Sequence, residues 1–184
     1  YLLGVTPAWM DPMPRGITFT GALIGWAVLR HRLLDLSPVA RDVVLDAIED
    51  LYGPDLLCWT TNFFIKEAAN PAFVSWHQDS TYWGLSSPDV VTAWIALTKS
   101  DEASGAMSVI PGTHRMDQIP HRDTFDARNL LTRGQEVAVD VDASKAVRLD
   151  LEPGEMSLHH VRIVHGSPPN ASSDRRIGLA IRYV

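Results

Sequence analysis

From residue 55 to its end the chain is a succession of short β-type segments with no helical stretch between them. The segments are "DLLCWTTNFFIK", "AFVSWHQDS", "VVTAWIALT", "AMSVIPG", "EVAVDVD", "AVRLDLE", "EMSLHH", "VRIVHGS" and "RRIGLAIRYV". Each is rich in β-branched or aromatic residues, and Gly, Pro, Ser, Asn or Asp separates it from the next. Many short strands without intervening helices predict a mainly β sandwich, barrel or jelly roll. Residues 115–135 interrupt the pattern with a polar stretch. A long loop with a helical turn is expected there, of the kind that serves as a lid.

The N-terminal side follows a different period. "SPVARDVVLDAIEDLYG" places Val39, Val43, Val44, Ala47, Ile48 and Leu51 at helical spacing. Ser37 is a candidate N-cap, Pro38 suits the first turn, and Gly53-Pro54 stop the helix. Residues 21–34 are a second helical candidate, and residues 1–20, with Pro7, Pro12 and Pro14, read as irregular. A length of 184 residues predicts one domain over 1–184, with an irregular and helical part (1–54) before a β core (55–184). The chain begins at Tyr1 and stops at Val184 inside a strand-like run, so a fragment of a longer protein is expected.

Composition excludes several classes of function. The formal net charge of −6 argues against a nucleic-acid grip based on bulk charge. The single cysteine, Cys58, allows no intrachain disulfide and no four-cysteine zinc site. A reducing, cytoplasmic setting fits that count. The most apolar run, "ITFTGALIGWAVLRHRLL", is broken by Arg30, His31 and Arg32 short of the roughly 20 residues a spanning helix needs. No membrane or nucleic-acid partner is expected. Nothing in the sequence sets the oligomeric state.

The chain holds seven histidines and two His-x-Asp triplets, His77-Gln78-Asp79 and His121-Arg122-Asp123. The spacing alone is weak evidence, and context separates the two. In a strand, residues two apart project to one face, so His77 and Asp79 could converge on one ion. His121 and Asp123 follow Pro120 in a polar stretch and read as a solvated loop pair. A ferrous oxygenase centre needs a second histidine on the same face of an octahedron. His165 is the strongest candidate: it ends an apolar strand, and Gly166-Ser167 let the backbone turn away. His159 and His160 are rivals, with strict alternation putting His159 on the face of His165. A hydrogen-bonded core histidine remains the favoured reading of each of these two. The last segment alternates Ile177, Leu179, Ile181 and Tyr183 with Arg176, Gly178, Ala180 and Arg182. Two arginines flanking two tiny residues make a cavity wall with guanidinium groups offered to an anion. The other reading is an edge strand whose arginines reach solvent. A hairpin through "GSPPNASSD" is expected to bring Arg176 close to His165. Around the His77 strand, Trp59, Phe63, Phe64, Trp76, Tyr82 and Trp83 cluster in sequence. Most read as core, with Tyr82 and Trp83 the candidates for a substrate pocket.

Taken together, "FFIK", "SWHQDSTYW", "VTAWIALT", "GAMSVIPGTHR", "EPGEMSLHH", "VHGSPPN" and "RRIGLAIRYV" resemble the phytanoyl-CoA dioxygenase family, from about Asp55 to Val184. The resemblance implies a double-stranded β-helix (jelly roll), Fe(II), and 2-oxoglutarate and O2 as co-substrates. It implies His77, Asp79 and His165 as iron ligands and Arg176 as the partner of the distal 2-oxoglutarate carboxylate. Trp94 and Lys66 match positions near the co-substrate, while Arg182 and His114 match recurrent positions that are not ligands. It implies hydroxylation of a small organic substrate with release of succinate and CO2. The carboxylate of Asp79 favours hydroxylation over halogenation, because halogenases carry a small residue there. The family often has glycine after the paired histidines, where this chain has Val161. Two alternatives stand beside it: a non-catalytic jelly-roll binding module, and a cupin-like metal enzyme of another reaction class using an extra histidine.

Overall fold

The computed structural model describes residues 38–184; the expected irregular stretch 1–20, the helical candidate 21–34 and the cap Ser37 lie outside them. The helix α1 (Pro38–Tyr52) stops where the sequence stops it. Gly53 takes φ 85° and donates its N–H to the Glu49 carbonyl at 2.8 Å, a left-handed terminus that glycine adopts without strain. A compact unit begins at Ile48 and runs to Val184.

Ten strands follow: β1 (Cys58–Lys66), β2 (Val74–His77), β3 (Val91–Ala96), β4 (Ser108–Ile110), β5 (His121–Asp123), β6 (Gln135–Val137), β7 (Val147–Arg148), β8 (Met156–His160), β9 (Val164–Ser167) and β10 (Arg176–Tyr183). A one-turn helix, α2 (Ser80–Trp83), follows β2. The strands form one four-stranded sheet of order β1-β10-β3-β8 and a second of order β2-β9-β4-β7, with β5 and β6 as a separate pair. Every pairing of these strands is antiparallel. In sequence, β1, β3, β8 and β10 go to the first sheet and β2, β4, β7 and β9 to the second. The chain thus crosses repeatedly from one sheet to the other, as a double-stranded β-helix requires. Among the described residues the fold is mainly β, as the strand pattern predicted, with α1 preceding the strands.

Register sets what the first sheet presents inward. Ala180 of β10 lies opposite Trp94 of β3 and Asn62 of β1, and Trp94 lies opposite Ser157 of β8. One row along, Arg182 meets Thr92 and Thr60, and Thr92 meets His159. Arg176, Gly178, Ala180 and Arg182 are all buried. The alternation of this last segment therefore fixes an inward face, and the edge-strand reading of its arginines does not hold. Gly178 is small because Trp94 lies on it: an added Cβ would stand 2.0 Å from the indole ring. Trp94, Ala96 and Ala180 form a core cluster against Phe64 and Leu151.

Several local expectations are corrected. The stretch around 115–135 is not all loop: His121–Asp123 pairs with Gln135–Val137, and the turn of 3-10 helix lies earlier, at Thr113–Arg115. No hairpin joins β9 to β10, because the two strands belong to different sheets. His165 sits inside β9 rather than at its end, and Gly166 serves close approach rather than a turn. A Cβ there would stand 3.0 Å from the Val74 carbonyl of the neighbouring strand. "EVAVDVD" and "AVRLDLE" supply only three- and two-residue strands.

Candidate active site

His77 and His165 face each other because β2 and β9 pair with these two residues in register. Their rings lie 4.1 Å apart, centroid to centroid. Each imidazole has its Nδ1 against a backbone carbonyl two residues earlier: Ser75 at 2.9 Å and Ile163 at 3.0 Å. A carbonyl only accepts, so Nδ1 is the protonated nitrogen in both rings. With Nδ1 held by the backbone, Nε2 is the nitrogen each ring presents to the cluster, the arrangement that orients metal-binding histidines. Asp79 arrives by another route than strand alternation. Strand β2 ends at His77, and Asp79 takes helical angles (φ −62°, ψ −33°) at the start of α2. That turn brings Asp79 Oδ1 to 3.3 Å from His77 Nε2.

One ligand atom from each of His77, Asp79 and His165 lies within 4.8 Å of the others, and all three residues are buried. Burial by itself would raise the Asp79 carboxyl. The hydrogen bond from His77 and the charges of His165, His77 and Arg182 outweigh it and hold the group well below the usual carboxylate range. Burial, and then the neighbouring His77, push the His165 imidazole down to about 3. The carboxylate is therefore ionised and the His165 imidazole neutral at neutral pH, the states in which both coordinate a cation. Two imidazole nitrogens and one carboxylate oxygen on one side of a centre fit a ferrous ion with its remaining positions open.

The three residues border a small chamber between the sheets. Arg176 and Trp94 line the same chamber, with the guanidinium carbon 5.5 Å from the indole centroid. Arg176 is only 3% exposed. One Nη donates to the Gly105 carbonyl, and Nε is buried with no partner. Burial draws its pKa down to about 10, which leaves it charged at neutral pH. A buried cation with an unused donor fits a carboxylate entering the chamber. Lys66, opposite Arg176 in register, does not line the chamber. Its Nζ donates to Ser167 O at 3.2 Å, Ser167 Oγ at 2.7 Å and Pro168 O, which engages all three N–H groups. Trp83 lies outside the chamber, edge-on to Trp59 at 5.2 Å. Tyr82 falls in α2, and its side chain is not described.

Other residues reach the site that the sequence reading set aside. His159 lines the chamber, its ring 5.3 Å from His165 and its Nδ1 buried without a partner. It stays outside the three-residue cluster. His160 faces away, 6.1 Å from His114, and accepts the Arg162 N–H. His121 is not a solvated residue: its Nδ1 donates to the Ile119 carbonyl and its Nε2 accepts the Gln78 N–H at 2.9 Å. Gln78, between the two ligands, is itself fully buried; it donates to Arg162 O and accepts from Ile119 N–H. In the sequence this segment was marked by its own His-x-Asp triplet, His121-Arg122-Asp123, with Pro120 before it. Arg182 lines the chamber too, and the alternation that singled out Arg176 pointed equally to it.

The chain is similar to known proteins in sequence and in fold. The family model described as phytanoyl-CoA dioxygenase (PhyH) matches residues 22–178. A probable alpha-ketoglutarate-dependent hypophosphite dioxygenase of Stutzerimonas stutzeri is 30% identical over 149 residues, covering 80% of this chain and 51% of that protein. An L-proline trans-4-hydroxylase of Streptomyces griseoviridis is 29% identical, covering 83% of this chain and 65% of its own. The chain thus spans about half to two thirds of the length of these curated relatives. Among solved structures, the non-heme monooxygenase ThoJ superposes with a TM-score of 0.68 at 38% identity, covering 77% of this chain and 51% of that one. EvdO2 of Micromonospora carbonacea var. aurantiaca, complexed with 2-oxoglutarate, gives 0.67 at 27%, covering 85% and 63%.

Proposed function

The chain belongs to the phytanoyl-CoA dioxygenase family, and from that membership we propose that it is an Fe(II)- and 2-oxoglutarate-dependent oxygenase that hydroxylates a small organic substrate. The observation that carries the reading is the pairing of two features in one chamber. His77, Asp79 and His165 converge within 4.8 Å, and Arg176 stands buried with an unpartnered Nε. In this reading residues 55–184 are the jelly-roll core of one catalytic domain.

His77 and His165 would hold iron through Nε2, with the Ser75 and Ile163 carbonyls fixing both rings before the ion arrives. Asp79 would supply the negative charge, and a carboxylate here, where halogenases carry a small residue, favours hydroxylation. A ferrous ion held there supplies the redox chemistry that couples conversion of 2-oxoglutarate and O2 to succinate and CO2 with hydroxylation of a C–H bond. Arg176 pairs with the distal carboxylate of 2-oxoglutarate and sets the distance of its keto-acid end from the three ligands. Trp94 forms the wall behind that carboxylate. The six-residue inner strand β3 is buried along its whole length and keeps water from the chamber. Lys66, with its donors spent on Ser167 and Pro168, fixes the strand that carries His165 rather than touching the co-substrate. A cupin-like centre with a third histidine as its fourth ligand would have to recruit His159, which lies outside the cluster of ligand atoms. Among the described residues no helix is long and apolar enough to cross a membrane.

Anaerobic titration with Fe(II) and 2-oxoglutarate tests the reading. The metal-to-ligand charge-transfer band should grow to one equivalent. Folded protein that shows no band would exclude a 2-oxoglutarate oxygenase.

A further inference from the structure

Arg182 is a second buried guanidinium at the same centre, and the chemistry just described does not use it. It is 6% exposed. Its guanidinium carbon lies 5.7 Å from the Phe64 ring centroid and 5.1 Å from that of Trp83. One Nη donates to Asn62 Oδ1 at 2.5 Å, and Nε is buried without a partner. The carboxylate whose field it feels is Asp79, which a metal held at the cluster would engage. A cation taken out of water in this way needs an anion to offset the cost.

The position of Arg182 says which anion. Phe64, Asp79 and Arg182 line the inner chamber and also a second, outer and more open cleft, so they form the neck between the two. Arg176 lines the inner chamber and not the cleft. The two arginines therefore serve two spaces. The cleft has apolar walls at Ile65, Trp83, Leu130 and Leu131. Arg182 is its sole basic residue among the described residues, which matches one negative charge rather than a phosphate dianion.

We propose that Arg182 anchors the substrate, and that the substrate is a small carboxylic acid with an apolar body. The carboxylate pairs with the Arg182 guanidinium at the neck. The hydrocarbon lies against Trp83, Leu130 and Leu131, and its C–H bonds come to the Asp79 side of the centre. The proposal deepens the oxygenase reading and rests on it for the reaction, but the acid site can be tested without iron.

The probe is hexanoate, with hexanamide as its uncharged twin, followed by ligand-observed NMR on the metal-free Arg176→Gln protein. That background removes the other buried arginine of the chamber. Hexanoate should bind about tenfold or more tightly than hexanamide, and the difference should vanish when Arg182→Gln is added. Arg182→Lys keeps the charge and loses the fork, so it should weaken hexanoate about threefold or more while leaving hexanamide unchanged. This variant carries the test should the glutamine protein not fold. In iron-loaded protein, Arg182→Gln should keep its 2-oxoglutarate affinity within about threefold of wild type. Equal binding of hexanoate and hexanamide, or hexanoate binding indifferent to both Arg182 substitutions, would overturn the proposal. So would a loss of 2-oxoglutarate affinity in Arg182→Gln as large as in Arg176→Gln. A missing charge-transfer band with the hexanoate preference intact would remove the oxygenase reading alone.

Discussion

At the scale of residues, the site depends on which nitrogen of each imidazole the backbone holds. Backbone carbonyls claim Nδ1 of His77 and of His165, so both rings are set before any ion binds. Replacing either by alanine should weaken Fe(II) binding by more than the roughly 10–100-fold that loss of an outer partner costs. Direct metal titration of folded variants checks this. His121→Ala removes the acceptor of the Gln78 N–H, between the two ligands, and should cost about tenfold in the same titration. If His121→Ala lost iron while His77→Ala kept it, the wrong triplet has been assigned. The sequence offered both triplets on equal spacing, and what separated them was the aromatic, β-branched run around His77. The physical reason expected for convergence was only half right. His77 is a strand residue, but Asp79 reaches the centre through the helical turn that follows. No spacing rule distinguishes those two routes, since both place residues i and i+2 near each other.

At the scale of elements, β10 carries the most information. Its alternation was legible in the sequence, and the structure buries Arg176, Gly178, Ala180 and Arg182 on one face. Gly178→Ala would drive a Cβ into the Trp94 ring and should cost about 1–3 kcal/mol or more in chemical denaturation, because indole and strand cannot both yield. The neighbouring strand β1 ends in Lys66, whose amine is pushed down to about 7 by burial and then by the Arg176 charge. Its folded pKa lies below the unfolded value of 10.5. Between those values the unfolded chain binds more protons, so this group makes stability rise with pH from about 7 toward 10.5. Urea denaturation at pH 7.5 and 9.5 should show a shallower rise in Lys66→Met than in wild type. The variant should also be about 1–3 kcal/mol less stable, since the Ser167 and Pro168 acceptors lose their donor. An equal rise in both proteins would mean that Lys66 does not titrate in this window. What the sequence hid at this scale was connection: adjacent segments β9 and β10 looked like a hairpin and lie in different sheets.

At the scale of the whole molecule, two sheets meet around one chamber, one supplying both histidines and the other both buried arginines. A ligand that touches both sheets should stabilise the fold by mass action, by about 2.7 kcal/mol at a hundred times its Kd. With iron present and oxygen excluded, 2-oxoglutarate should raise the Tm of wild type and leave that of Arg176→Gln nearly unchanged at the same concentration. A matching rise in the variant would place the distal carboxylate elsewhere. By itself the sequence determined the strand-rich class, the helix end at Gly53 and the two-faced last strand. Each follows from local pattern: period two, a glycine free to adopt positive φ, and tiny residues between arginines. The motifs also carried the family resemblance that the comparison bears out. Only the tertiary structure decided that His77 and His165 are cross-strand partners, that Lys66 is spent on the β9–β10 connection, and that His121 braces the ligand segment. It also decided that Arg182 stands at a neck between two cavities. Those facts rest on the register of strands distant in sequence and on which sheet each strand joins. Burial pattern fixes the face a residue shows, while register fixes which residue it meets there.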